Sequence, residues 1–129
     1  MPRPIHFEIQ AENTDRAIKF YTTLFGWTFS QWGQEEYWLI STGDKSKPGI
    51  DGGLLPRPVA GAPALMAAVN AFVCTMDVAD LDAMIAKVGE AGGMIVVPRT
   101  PIPTVGYLAY GKDTEGNVFG MMQMDADAR

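Results

Sequence analysis

Apolar and polar side chains alternate at the start of the chain and then change to a helical period. Residues 4–10 alternate, which is typical of a strand with one covered face. Residues 13–15, Asn-Thr-Asp, are suited to begin a helix because their side-chain oxygens accept hydrogen bonds from its free N–H groups. Apolar residues then recur at helical spacing as far as Gly26, where the helix is expected to end. Three further strands are predicted near residues 27–32, 36–42 and 49–55.

The same pattern begins again after residues 56–68, a proline-rich stretch that is typical of a linker. A strand is predicted at 69–76, followed by a helix that starts between Asp77 and Asp80 and stops at the glycine pair 92–93. Three more strands are predicted near residues 94–99, 105–111 and 117–124.

A constant shift of 67 residues superimposes the two halves, and it places Gly26 on Gly93. The matching order of strand, capped helix, glycine stop and three strands indicates an internal duplication. The sequence therefore predicts an α+β protein of two tandem βαβββ modules. Residues 1–129 would form one domain, with module one at about 4–55, the linker at 56–68 and module two at about 69–124.

Composition and charge narrow the classes of partner. Hydrophobic residues make up 47% of the 129 positions, which suits a globular core, and no apolar run approaches the roughly 20 residues that span a membrane. The net charge is −5 and the ten basic residues are scattered, so nucleic acid is not an expected partner. The first residues lack the charged-then-apolar pattern of a secretory signal. The single cysteine, Cys74, cannot form an internal disulfide, which fits a cytoplasmic protein.

Several motifs together resemble the vicinal oxygen chelate superfamily, which includes glyoxalase I, bleomycin-resistance proteins and extradiol dioxygenases. The resemblance rests on Ile5-His-Phe-Glu-Ile9, Asn13-Thr-Asp-Arg-Ala-Ile-Lys-Phe-Tyr21, Leu24-Phe-Gly-Trp27, Val78-Ala-Asp-Leu-Asp82 and Asp113-Thr-Glu-Gly-Asn-Val-Phe119. It implies that each module forms half of an open, mostly antiparallel barrel with its helix outside, and that a small-molecule cleft lies between the modules. It also implies a homodimer.

The resemblance further implies where a metal would bind. Metal-using members of the superfamily carry ligands on the first and fourth strands of each module. Those positions correspond here to His6, Gly53, Val73 and Gly120, of which only the histidine has a ligating side chain. Metal sites generally need three or more protein ligands, so no metal cofactor is predicted. A divalent metal held through His6, with Glu8 on the same strand face, is the alternative.

The remaining chemistry leaves catalysis open. His6 is either a general base or ligand-binding group, with Glu8 beside it, or an ordinary polar strand residue. The two glycines either widen the cleft or mark a close backbone approach. Met122 shares the strand face of Gly120, which leaves Phe119 and Met121 under the helices. The candidate ligand-binding residues are His6, Glu8, Gly53, Val73, Gly120 and Met122, and no catalytic residue is assigned.

Aromatic side chains offer further surface for a ligand, although such residues more often belong to a core or an interface. Those on or beside predicted strands are Trp27, Trp32, Tyr37, Trp38, Tyr107 and Tyr110. The leading hypothesis is a metal-independent protein that binds a small organic molecule in the cleft. A metal-dependent lyase, isomerase or dioxygenase is the alternative, and a non-catalytic dimeric accessory protein is a second one.

Overall fold

The structure, a computed structural model, describes residues 2–58, 63–64, 67 and 72–129. The chain divides into two compact units, His6–Phe72 and Val73–Arg129 with Met1–Ile5, which are named modules one and two below. The elements are β1 Pro4–Ala11, α1 Thr14–Phe25, β2 Thr28–Gln31, β3 Trp38–Ser41, β4 Asp51–Pro56, β5 Val73–Asp77, α2 Leu81–Glu90, β6 Met94–Ile102, β7 Gly106–Lys112 and β8 Val118–Met124. Most of the predicted linker, and residues 69–71 of the predicted fifth strand, lie outside the described residues.

Module one is a four-stranded sheet in the order β2-β3-β4-β1. Strands β1 and β4 are parallel, and the other two pairs are antiparallel. The side chain of Asn13 accepts a hydrogen bond from the backbone N–H of Arg16, and Gly26 ends α1 in the left-handed conformation with φ 72°. The predicted cap and stop of this helix are thus confirmed.

The two faces of the module-one sheet differ in chemistry because side chains alternate along each strand. The face toward α1 carries the buried apolar residues Phe7, Ile9, Ala11, Ile40 and Leu54. Tyr21 of α1 stacks on Trp27, and the Trp27 ring lies 5.8 Å from that of Phe7. The opposite face carries His6 and Glu8, so the sequence pattern placed both side chains on the face turned away from the helix.

Module two has the corresponding order β5-β8-β7-β6. Asp80 caps α2 by accepting from the N–H of Ala83, and Leu81, at the first position of the helix, is fully buried. The core also contains Val78, Ala109 and Met121, with Phe119 packed against it. The prediction that Phe119 and Met121 lie under the helix is therefore confirmed. No helix among the described residues has the length and apolar character needed to cross a membrane.

Strand registers support the duplication more strongly than residue identities do. Glu8 pairs with Gly53 in module one, and Thr75 pairs with Gly120 in module two. Both residues of the first pair are 67 positions before those of the second, which is the shift found from the sequence. The predicted α+β fold of two βαβββ modules is confirmed.

One strand is longer than predicted. The pattern placed β6 at 94–99, but it continues to Ile102 through Pro98 and Pro101. Proline is tolerated because β6 is the last strand of the module-two sheet and pairs on one side with β7, where the register shifts twice.

Candidate functional site

Three side chains of module one meet on the face turned away from α1. Nε2 of His6 lies 2.9 Å from the hydroxyl oxygen of Tyr37, and that hydroxyl donates to Oε2 of Glu8 at 3.1 Å. Because a phenol has one proton to donate, the bond to Glu8 leaves the Tyr37 oxygen as acceptor toward His6. In the tautomer that satisfies both contacts, the imidazole carries its proton on Nε2 and presents Nδ1 as an acceptor.

Tyr37 also explains the glycine at position 53. A Cβ added to Gly53 would overlap the hydroxyl oxygen and Cζ of Tyr37. The ring of Tyr37 therefore occupies the space into which a side chain at position 53 would project. The resemblance implies a metal ligand at this position, and the sequence leaves open whether the glycine widens the cleft or marks a close backbone approach. The close approach comes from a neighbouring side chain, which is a third possibility.

Burial and two nearby carboxylates shift the pKa of His6 in opposite directions. Burial lowers the pKa of His6 below its ordinary value of 6.5, while the charges of Glu8 and Asp51 raise it by smaller amounts. Oε2 of Glu8 is 3.9 Å from Nε2 of His6. Asp51 pairs with His6 in the β1–β4 register, and its Oδ1 accepts from the backbone N–H of Thr42 at 2.9 Å. The net effect is a neutral imidazole near pH 7 with acidic neighbours.

Two exposed apolar side chains border this polar group. Trp32 is 40% exposed, and its ring lies 5.9 Å from the ring of Tyr37 at an interplanar angle of 68°. Leu39 is 46% exposed and pairs with Gly53 across β3 and β4. Exposed aromatic and aliphatic groups beside convergent polar atoms are the usual components of a small-molecule site. We name His6, Glu8, Tyr37, Trp32 and Leu39 the His6 site.

The other two aromatic candidates of module one lie on the opposite face of the sheet, toward α1. Trp27 contacts Phe7 and Tyr21 on the face toward α1, and Trp38 pairs with the fully buried Leu54. Their side chains belong to the packing of that face. The sequence named all these aromatics but could not separate them, because the separation depends on strand register.

The other candidate residues lie in module two. Thr75 is 3% exposed, and its Oγ1 would lie 2.7 Å from a Cβ on Gly120, with Tyr110 also close. Val73 is buried, and Met122 is partly buried on β8. Neither position implied as a ligand in this module carries a ligating side chain.

A metal of the kind used by the superfamily would find few ligands here. The described residues contain no group of three or more His, Cys, Asp or Glu side chains arranged to hold an ion. His6 and Glu8 are two potential ligands that lie 3.9 Å apart, and the hydroxyl of Tyr37 already lies against the Nε2 atom of His6. This donor set does not fit zinc, iron, nickel or manganese, whose sites need at least three protein ligands.

The burial of His6 predicts a pH-dependent stability. The pKa of His6 in the folded state is below its unfolded value of 6.5. Between these two values the unfolded chain binds more protons than the folded protein, so lowering the pH lowers the free energy of unfolding. The contribution of the neutral His6 to the free energy of unfolding is therefore fully present above pH 6.5, and it is lost as the pH falls from there through the folded-state pKa. We expect His6→Gln to reduce the slope of the free energy of unfolding against pH, measured by urea unfolding from about pH 8 to about pH 5. Identical slopes for the two proteins would contradict the prediction.

Comparison with known proteins agrees with the fold and the strand motifs. The family model of the Glyoxalase/Bleomycin resistance protein/Dioxygenase superfamily matches residues 3–121. A protein of Mycobacterium bovis named "Putative glyoxylase CFP32" is 29% identical over 119 residues, which are 90% of this chain. The namesake protein of Mycobacterium tuberculosis gives the same values. The matched region is 42% of the length of each relative, so this chain spans less than half of them.

Solved structures of low sequence identity share the fold. Methylmalonyl-CoA epimerase from Mycobacterium tuberculosis is 14% identical with a TM-score of 0.64, over 95% of this chain and 87% of the other. A glyoxalase/bleomycin resistance protein/dioxygenase superfamily member from Vibrio splendidus 12B01 is 14% identical with a TM-score of 0.62, over 97% and 100%. Since the family model matches nearly the whole chain, this protein belongs to the Glyoxalase/Bleomycin resistance protein/Dioxygenase superfamily.

Proposed function

We propose that this protein binds a small organic molecule at the His6 site without a metal ion. The observation that carries the proposal is the position of the Tyr37 hydroxyl between His6 and Glu8, beside Gly53. A phenol in that place completes a hydrogen-bonded group from side chains alone. Trp32 and Leu39 supply apolar contact area next to it.

The charges and hydrogen-bonding groups of the site favour a particular ligand class. Glu8 and Asp51 are acidic, and the neutral imidazole of His6 presents Nδ1 as an acceptor. Such a site suits a neutral or cationic molecule that donates hydrogen bonds and has a planar part to lie against Trp32. An anionic ligand would have to approach two carboxylates, which costs electrostatic energy at short range.

Thermal-shift screening of a metabolite and antibiotic panel tests this proposal, since binding to the native state raises the melting temperature. The protein is treated with a chelator first. A compound that raises the melting temperature of the chelated protein, and less so with Tyr37→Phe or His6→Gln, is the expected result. Thr23→Ala is the control, because Thr23 is exposed on α1, which packs against the opposite face of the module-one sheet. Equal shifts in all variants would reject the site.

The second candidate is the metal-dependent lyase, isomerase or dioxygenase. It is favoured by the 3.9 Å separation of the His6 nitrogen and the Glu8 oxygen, which would both reach one ion if Tyr37 moved away. Divalent-metal titration separates the candidates. Stoichiometric binding that is abolished by His6→Ala, together with ligand shifts that need the metal, would replace the first proposal with the second.

The remaining parts of the proposal concern the setting of the protein. We propose a homodimer, as the resemblance to the superfamily implies, located in the cytoplasm and without nucleic acid or membrane as partner. The scattered basic residues argue against nucleic acid, and the free thiol of Cys74 fits a reducing compartment. Light scattering coupled to size-exclusion chromatography measures the oligomeric state, and a monomeric mass that is constant over the concentration range would contradict the dimer. A dimer without any stabilising compound in the panel would favour the accessory protein.

A further inference from the structure

Thr75 is a buried polar residue in module two. It lies on β5 and is only 3% exposed. Among the residues that the structure describes, its side-chain oxygen takes part in no hydrogen bond and is not one of the fully enclosed atoms without a partner. The oxygen therefore keeps a small accessible surface. A hydroxyl in this position has lost most of its contact with water and has gained no partner in return, which is unusual in a folded protein.

The side chain of Thr75 projects from the sheet face that is turned away from α2. Its neighbour Met76 packs on the opposite face, against the core under the helix. Gly120 pairs with Thr75 on one side and with Tyr110 on the other. A Cβ on Gly120 would lie 2.7 Å from Oγ1 of Thr75 and 3.1 Å from Cε1 of Tyr110. The hydroxyl and the aromatic ring therefore approach each other over the glycine.

The duplication provides a comparison for this hydroxyl. The shift of 67 residues relates Glu8 to Thr75. In module one the carboxylate of Glu8 has an internal partner, because it accepts a hydrogen bond from Tyr37. In module two the nearest atom of Tyr110 to the glycine is a ring carbon, which offers no such bond. The polar group at this position is thus satisfied within module one and left open in module two.

The charged side chains of this face lie outside the row of Thr75. Lys112 pairs with Val118, two residues along β8 on one side of the row. Asp77 pairs with Met122, two residues along β8 on the other side. A charged group placed against the Thr75 hydroxyl would lose water without an opposite charge in the same row, which is costly. The position therefore favours an uncharged polar group.

We infer that the Thr75 hydroxyl binds an uncharged planar molecule through a hydroxyl, amide or carbonyl group of that molecule. The planar part lies against the Tyr110 ring and the adjacent row, where Met122 pairs with Leu108. Methionine suits such a wall because its unbranched side chain adapts to different apolar groups. This binding group shares no residue with the His6 site and is independent of the proposed function.

Three probes of similar size test the ligand class on the full chain: benzamide, benzoate and benzylammonium. The methyl resonances of Thr75 and Met122 are followed by NMR during each titration. Benzamide is expected to shift them at the lowest concentration, because it alone is uncharged. Tighter binding of benzoate or benzylammonium, or no shift with benzamide, would overturn the inference.

Thr75→Val tests the hydroxyl itself, because valine keeps the shape of threonine and replaces the oxygen by a methyl group. Calorimetry is expected to show about fivefold weaker benzamide binding, and Thr75→Ser should retain the affinity to within about twofold. The melting temperature of ligand-free Thr75→Val is expected to rise, because a polar group without a partner is removed. An unchanged affinity, or a lower melting temperature as for a hydroxyl with a structural partner, would contradict the inference.

Thr28→Val is the matched control, because Thr28 is an exposed strand residue of module one. It should leave benzamide affinity unchanged. His6→Gln identifies the place of binding. If His6→Gln weakens benzamide binding and Thr75→Val does not, the probe occupies the His6 site. That result would reject the role of Thr75 and leave the proposed function intact.

Discussion

Leu54→Ala is expected to lower the free energy of unfolding by about 3 kcal/mol, within the usual range for a buried leucine. Leu54 is fully buried in β4 and lies between Ile9 of β1 and Trp38 of β3 in the strand register. The substitution removes apolar contacts on both sides and leaves a cavity that two hydrogen-bonded neighbouring strands cannot close.

The measurement is urea unfolding followed by circular dichroism, with Leu39→Ala as the matched control. Leu39 is also a leucine in this sheet, but its side chain is 46% exposed on the opposite face. We expect the control to lose less than about 1 kcal/mol because little of its surface leaves water on folding. Losses of similar size in the two variants would show that the face toward α1 is not the core of module one.

Gly53→Ala is expected to disrupt the His6 site and to lower the free energy of unfolding by about 1–3 kcal/mol. The added Cβ would occupy the space of the Tyr37 hydroxyl, so the ring has to move. Tyr37 would then lose its hydrogen bonds with His6 and Glu8, two partly buried groups. A ligand that depends on Tyr37 should bind at least tenfold more weakly to this variant.

A double-mutant cycle with Tyr37→Ala tests whether the stability lost in Gly53→Ala comes from the clash with Tyr37. The three atoms nearest to a Cβ at position 53 all belong to the Tyr37 ring, so in the Tyr37→Ala background Gly53→Ala should cost less than about 0.5 kcal/mol. Gly43→Ala serves as the backbone control, because nothing lies within 4 Å of a Cβ at that position. If Gly53→Ala costs the same in both backgrounds, the glycine is needed for its backbone rather than for the space that Tyr37 fills.

Local signals predicted the elements of this fold well. The helix caps at Asn13 and Asp80 depend on short-range hydrogen bonds, and Gly26 ends its helix through its own backbone conformation. These features need no knowledge of distant residues. The length of β6 was underestimated, because tolerance of proline depends on whether the strand has a neighbour on each side, and a linear pattern does not contain that information.

The candidate site was predicted only in part. Alternation along β1 correctly placed His6 and Glu8 on one face, and the position of Gly53 followed from the resemblance. Tyr37 was named only as one aromatic among several, although it is the residue that joins His6 to Glu8. A signal was present, because alternation puts Tyr37, directly before β3, on the same side as Leu39, which pairs with Gly53, but using it requires the β3–β4 register.

The sequence by itself determined that this protein consists of two βαβββ modules related by a shift of 67 residues, because period, caps and turns are properties of neighbouring residues. It also determined that three of the four ligand positions implied by the superfamily lack ligating side chains. Only the tertiary structure decided that the ring of Tyr37 stands beside Gly53. The two residues are far apart along the chain, and the register of β3 and β4 brings them together.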